Sequence, residues 1–90
     1  MITANVLILG FVQGIGFRQF IKRNANRLGI TGWVKNTEGN RVEAMFSGQK
    51  EKIEEMIKLC RKGPFLADIK RVDVEWEQSA QNFETFEIIL

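Results

Sequence analysis

The chain has no histidine and a single cysteine, Cys60, in 90 residues. The first absence removes histidine general bases, Ser-His-Asp triads and histidine-based metal sites. The second removes any internal disulfide, so the fold must stand on its core alone, which suits a reducing compartment. No apolar run approaches the roughly 20 residues needed to span a bilayer. The start, Met1-Ile2-Thr3-Ala4-Asn5, lacks the basic opening of a signal peptide. Cytoplasmic residence without membrane association is therefore expected. Net charge is only +2, too weak a field to imply nucleic acid on electrostatic grounds. Nothing in the chain demands a partner subunit, a cofactor or a metal, so a monomer with none of these is expected.

What remains is an ordinary globular composition, 44% hydrophobic and 27% charged with one proline. Ninety residues make one domain, 1–90, with a modest core. Residues 4–12 read as a strand apolar on both faces, hence interior to its sheet. Phe17, Phe20, Ile21, Ala25 and Leu28 form one helical stripe, closed by Gly29. Residues 30–36 read as a second strand, 37–40 as a turn and 41–46 as a third strand, an antiparallel hairpin. A second helix runs from Gln49 to Lys62, with Ile53, Met56, Ile57 and Cys60 at helical spacing, and stops at Gly63-Pro64. From Ala67 to Gln78, Ile69, Val72, Val74 and Trp76 face one way and Arg71, Asp73, Glu75 and Glu77 the other. A last strand spans Asn82 to Leu90, with Phe86, Ile88 and Leu90 on a common face. The order predicts an α+β, ferredoxin-like β-α-β-β-α-β sandwich: an antiparallel sheet with an extra C-terminal strand and two helices on one face.

The stretch with most chemical content is Gly10-Phe11-Val12-Gln13-Gly14-Ile15-Gly16-Phe17-Arg18. It joins the first strand to the first helix, so its amides and the helix N-terminus can converge on an anion. It is not a Walker A loop, since Gly-Lys-Ser/Thr is absent, and its glycines do not fit the dinucleotide fingerprint. It also lacks a Ser, Thr, Asp or Asn that would cap the helix, leaving the first amides to water or an external anion. Arg18 reads either as a solvated surface side chain or as a fork gripping phosphate oxygens beside those amides. Its position in the first turn opposes the helix dipole, a placement that makes sense if an anion joins both. Asn36 reads either as a turn-initiating residue or as an amide that orients a water, because the loop after the second strand emerges at the same sheet edge as the Gly-rich loop. Cys60 lies on the apolar stripe and reads as core rather than nucleophile. Trp33 and Trp76 read as core or half-buried sheet residues.

Two separated motifs carry a family resemblance. Residues Gly10 to Arg18 resemble the first signature of the acylphosphatase family, and Gly32-Trp33-Val34-Lys35-Asn36 followed by Val42-Glu43-Ala44 resembles the second. Gly63-Pro64 and Val72-Asp73-Val74-Glu75-Trp76 also sit where that family has similar residues, so the resemblance spans nearly the whole chain. It implies hydrolysis of a carboxyl-phosphate anhydride, with a small-molecule acyl phosphate as substrate. It further implies that Arg18 binds phosphate, that Asn36 orients the water, and that Gln13, Gly14, Ile15, Gly16 and Phe17 form a phosphate loop acting through backbone amides. One departure is the hairpin turn, where Gly39-Asn40 stands in place of the family's Asp-Gly. Both residue types tolerate positive φ, so the turn can persist.

An acyl phosphate expels a carboxylate whose conjugate acid has a pKa near ~4, so no general acid is needed. Hydrolysis then requires a positioned water and neutralised phosphoryl charge. Two other functions fit the same element order. One is a non-catalytic phosphate-binding module of this fold. The other is an RNA-recognition module, which needs aromatics on exposed central strands; the third strand offers only Phe46, on the expected core face.

Overall fold

The structure, a computed structural model, describes residues 1–12, 16–78 and 82–90. Its elements are β1 (Ile2–Phe11), α1 (Phe17–Leu28), β2 (Thr31–Thr37), β3 (Arg41–Gly48), α2 (Lys50–Lys62), β4 (Asp68–Glu77) and β5 (Phe86–Ile89). They form a five-stranded sheet in the order β4-β1-β3-β2-β5. The first four neighbours pair antiparallel and β5 joins β2 in parallel. The sheet is thus mixed, with the extra C-terminal strand supplying its one parallel pair among the described residues. β1 and β2 both run against β3, so they are parallel to each other with β3 between them.

The core lies between one sheet face and the helices. Val6, Ile8, Val34, Val42, Ala44, Phe46 and Phe86 from the strands meet Phe17, Ile21 and Ala25 of α1 and Ile53, Met56 and Cys60 of α2. Each helix buries the stripe its spacing predicts: Phe17, Ile21, Ala25 and Leu28, and Ile53, Met56, Ile57 and Cys60. Phe20, expected on the first stripe, is half-buried at its edge, with its ring 5.9 Å from that of Phe17. Phe46 and Phe86 stack at 5.8 Å and fasten β5 to the middle of the sheet.

Several boundaries differ from the sequence reading. β1 starts at Ile2 and β3 continues to Gly48, because Ile2 pairs with Gly48 and Ser47 has a partner on each side, Thr3 and Thr31. β5 is shorter than residues 82–90: only Phe86–Ile89 are strand. β4 is an edge strand, so its apolar face is only partly covered, and Trp76 is 38% exposed. The odd step from Ile69 to Val72 is resolved by a bulge. Leu9 pairs with Arg71 and Gly10 with Ile69, leaving Lys70 as the extra residue that returns Ile69 and Val72 to one face. Gly10 belongs at this bulge: a Cβ there would lie 2.1 Å from the Asp68 carbonyl oxygen.

Candidate active site

The site is built where β1 hands over to α1. Gly16 is the N-cap, with φ 78° and ψ 19° in the left-handed region, and it has no side chain with which to cap the helix. This conformation favours glycine, and nothing lies within 4 Å of where its Cβ would stand. The surface above Gly16 is therefore open to an approaching group. The Phe20 amide closes the first turn onto the Gly16 carbonyl at 2.9 Å. The amides before it, at Phe17, Arg18 and Gln19, precede the first intrahelical bond and point out of the helix end. Phe17 is 1% exposed and anchors this turn in the core. Arg18, next along, is half-buried. No acid occupies the first turn, so the guanidinium and the helix dipole present positive charge on the same side.

Between this turn and the end of β5 lies a recess of about 150 Å³. Gly16, Arg18 and Gln19 line it together with the apolar Val12, Phe17, Ile88 and Leu90. The structure thus brings Gly16, Phe17 and Arg18 together around one opening. Gln13, Gly14 and Ile15, the remainder of the expected phosphate loop, lie outside the described residues.

Asn36 approaches from β2. Gly32 and Val34 precede it at two-residue steps and are both buried, so Asn36 is on the helix-covered face of the sheet. It pairs with Val42, which pairs in turn with Ile8 of β1. Asn36 therefore stands level with Ile8, towards the C-terminal end of β1 and two strands away, and it is exposed. It is not among the residues lining the recess beside Arg18. The turn that follows holds Gly39 at φ 77° and Asn40 at φ 57°, with Arg41 Nε donating to the Glu38 carbonyl at 2.9 Å. The Gly39-Asn40 substitution thus keeps a tight hairpin, and Thr37 pairs directly with Arg41 across it.

The sequence reading missed Ile88 and Leu90 as neighbours of the site. Their shared face was legible from alternation. Their location was not, because it depends on β5 pairing parallel to β2, which carries the C-terminal end of β5 to the edge where the Gly-rich loop emerges.

Cys60 takes no part. It is fully buried on α2, and burial pushes its thiol up to about 12. Among the described residues no three His, Cys, Asp or Glu side chains gather as a metal-binding group, and no helix is long and apolar enough to cross a membrane. The sheet face opposite the helices offers no aromatic platform on its middle strand. Phe46 points into the core, while Glu43 accepts from Asn5 Nδ2 at 3.0 Å and lies 4.0 Å from Lys35 Nζ. Trp33, at one side, is half-buried beneath Lys35 Nζ at 5.1 Å from the ring centroid.

Comparison with known proteins agrees with this arrangement. Residues 4–88 match the Acylphosphatase family. An acylphosphatase of Roseiflexus sp. (strain RS-1) is 40% identical over 89 residues, covering 99% of this chain and 96% of that one. An acylphosphatase of Thermococcus kodakarensis is also 40% identical, over 88 residues, covering 98% and 96%. Among solved structures, acylphosphatase from Bacillus subtilis superposes with a TM-score of 0.97 at 27% identity, with both chains fully covered.

Proposed function

The chain belongs to the acylphosphatase family and is an acyl phosphate hydrolase, and on that premise we propose how it works: a water held by Asn36 attacks a phosphoryl group bound by Arg18 and the loop amides, without a metal. The observation that carries this reading is the uncapped first turn of α1 with Arg18 half-buried beside it and no acid nearby. In this reading the amides and guanidinium act as donors to one phosphoryl group, and preorganised donors are worth most where charge develops in the reaction. Loss of the carboxylate spreads negative charge over the equatorial phosphoryl oxygens. The Arg18 fork can donate to two of these oxygens.

The remaining requirement is a positioned nucleophile. Asn36 stands at the same edge and on the same face as the cradle, and its amide both donates and accepts. Held there, the water oxygen forms a bond to phosphorus as the bond from phosphorus to the acyl oxygen breaks. The electron pair leaves on the carboxylate. One water proton passes to a phosphoryl oxygen, so an acyl phosphate dianion and water give a carboxylate and dihydrogenphosphate. No general acid is needed, in keeping with a chain that has no histidine. A phosphomonoester, whose leaving alkoxide is far more basic, is a poor substrate under the same mechanism.

The test is turnover of benzoyl phosphate. Hydrolysis is expected to be unchanged by EDTA and inhibited competitively by inorganic phosphate, and in ¹⁸O-labelled water the label should enter phosphate. Loss of activity in EDTA that a divalent metal restores would refute the metal-free mechanism. Label in the carboxylate would refute attack at phosphorus. Phosphate binding without any turnover would favour a non-catalytic module.

A further inference from the structure

The recess beside Arg18 has an unlike lining. Among the described residues, Arg18 and Gln19 supply its polar side chains, with one cation and no acidic side chain. Ile88, Leu90 and the buried Val12 and Phe17 supply an apolar part. The recess encloses about 150 Å³. Ile88 is held in place by the sheet: it pairs with Val34 on β2 and packs against the core while remaining partly accessible. Leu90 is fully exposed and forms only the outer rim.

We propose that Ile88 determines which acyl groups the enzyme accepts, by forming the wall against which the carbon chain of the substrate lies. This rests on the phosphoryl group being bound at Arg18 and the α1 amides. The acyl group is joined to that phosphoryl group through one oxygen, so it must occupy space contiguous with the cradle, and the recess is contiguous with it. The wall is apolar, which favours uncharged acyl groups such as acetyl and benzoyl. An anionic acyl group, such as the 3-carboxypropanoyl group of succinyl phosphate, would lose water against Ile88 and find no second cation in the recess.

The test measures kcat/KM for acetyl, benzoyl and succinyl phosphate with the full chain, alongside Ile88→Phe and Ile88→Lys. Wild type should prefer both uncharged substrates to succinyl phosphate. Ile88→Phe fills the recess and should lower kcat/KM for benzoyl phosphate about 10-fold, a loss typical of a changed apolar pocket, while acetyl phosphate changes by less than about 3-fold. Ile88→Lys places a cation on the wall, its stem able to lie along the surface, and should raise succinyl phosphate relative to acetyl phosphate. Inhibition by inorganic phosphate should stay the same in Ile88→Phe and be equal or stronger in Ile88→Lys, where the added cation favours the anion, showing that each folds with its cradle intact. Substrate ratios unchanged from wild type in both variants, with acetyl phosphate still turned over, would overturn the role of Ile88 and leave the hydrolase mechanism standing. Wild type that turned over none of the three would overturn both.

Discussion

Asn36→Ala separates catalysis from binding and from folding. The side chain is exposed at the end of β2, so its removal leaves no cavity and no buried polar group unpaired. Surface changes of this kind fall within about 0.5 kcal/mol, which for a domain of this size moves Tm by roughly 2–4 °C. In the proposed mechanism the phosphoryl group is bound elsewhere, by Arg18 and the α1 amides, so the inhibition constant for inorganic phosphate should change by less than about 3-fold. On the same proposal the attacking water loses its holder. Removing one preorganised donor at a reacting centre costs about 2.7–4 kcal/mol, or 10²–10³ in kcat. Steady-state turnover of benzoyl phosphate, with phosphate as competitive inhibitor and a thermal melt on the same sample, gives all three quantities. Turnover within 3-fold of wild type would refute the water-holding role. A fall in kcat matched by an equal loss of phosphate affinity would place Asn36 in the cradle instead.

Four further substitutions probe the frame that holds the site. Gly16→Ala meets no atom within 4 Å, so its cost is the left-handed backbone alone, about 1–2 kcal/mol in a urea titration. Gly10→Ala must displace the Asp68 carbonyl at the β1–β4 bulge and should cost at least about 3 kcal/mol in the same titration. Phe86→Ala removes a ring 1% exposed and stacked on Phe46, which should cost about 3–5 kcal/mol in thermal or urea unfolding. Cys60 gives a pH signature. Its thiol is raised from 9.0 to about 12 in the folded chain, so the native state holds a proton that the unfolded state releases. The stability this supplies is fully present below pH 9 and lost as pH rises towards 12, at about 1.4 kcal/mol per unit. Urea midpoints at pH 8 and pH 10 should therefore show a loss of about 1.4 kcal/mol in wild type beyond that in Cys60→Ala.

The helices and the hairpin were legible because each rests on local chemistry. The apolar positions of α1 and α2 recur at helical spacing, and Gly39-Asn40 supplies the two positive φ angles the turn requires. Arg18 and Asn36 drew notice in the sequence for a related reason: one is a cation where a helix start disfavours it, and the other closes a strand running parallel to β1. Features set by strand pairing were not legible. The step from Ile69 to Val72 violates alternation until the bulge at Lys70 is known. β3 runs past residue 46 because Ser47 pairs on both sides and Gly48 with Ile2 of β1. Ile88 and Leu90 joined the site through the parallel pairing of β5 with β2, a contact between segments about fifty residues apart that no local pattern encodes.

Arg18 carries the central claim, since its guanidinium and the adjoining amides are proposed as the phosphoryl cradle. The direct measurement is benzoyl phosphate turnover and phosphate inhibition for wild type, Arg18→Ala and Arg18→Lys, each with EDTA present. Arg18→Ala should lose both turnover and phosphate binding while remaining folded, because the side chain is only half-buried. Arg18→Lys should recover part of the binding but little of the rate, since an ammonium supplies charge without the fork. Turnover in Arg18→Ala comparable to wild type would contradict the cradle, and with it the mechanism built on it.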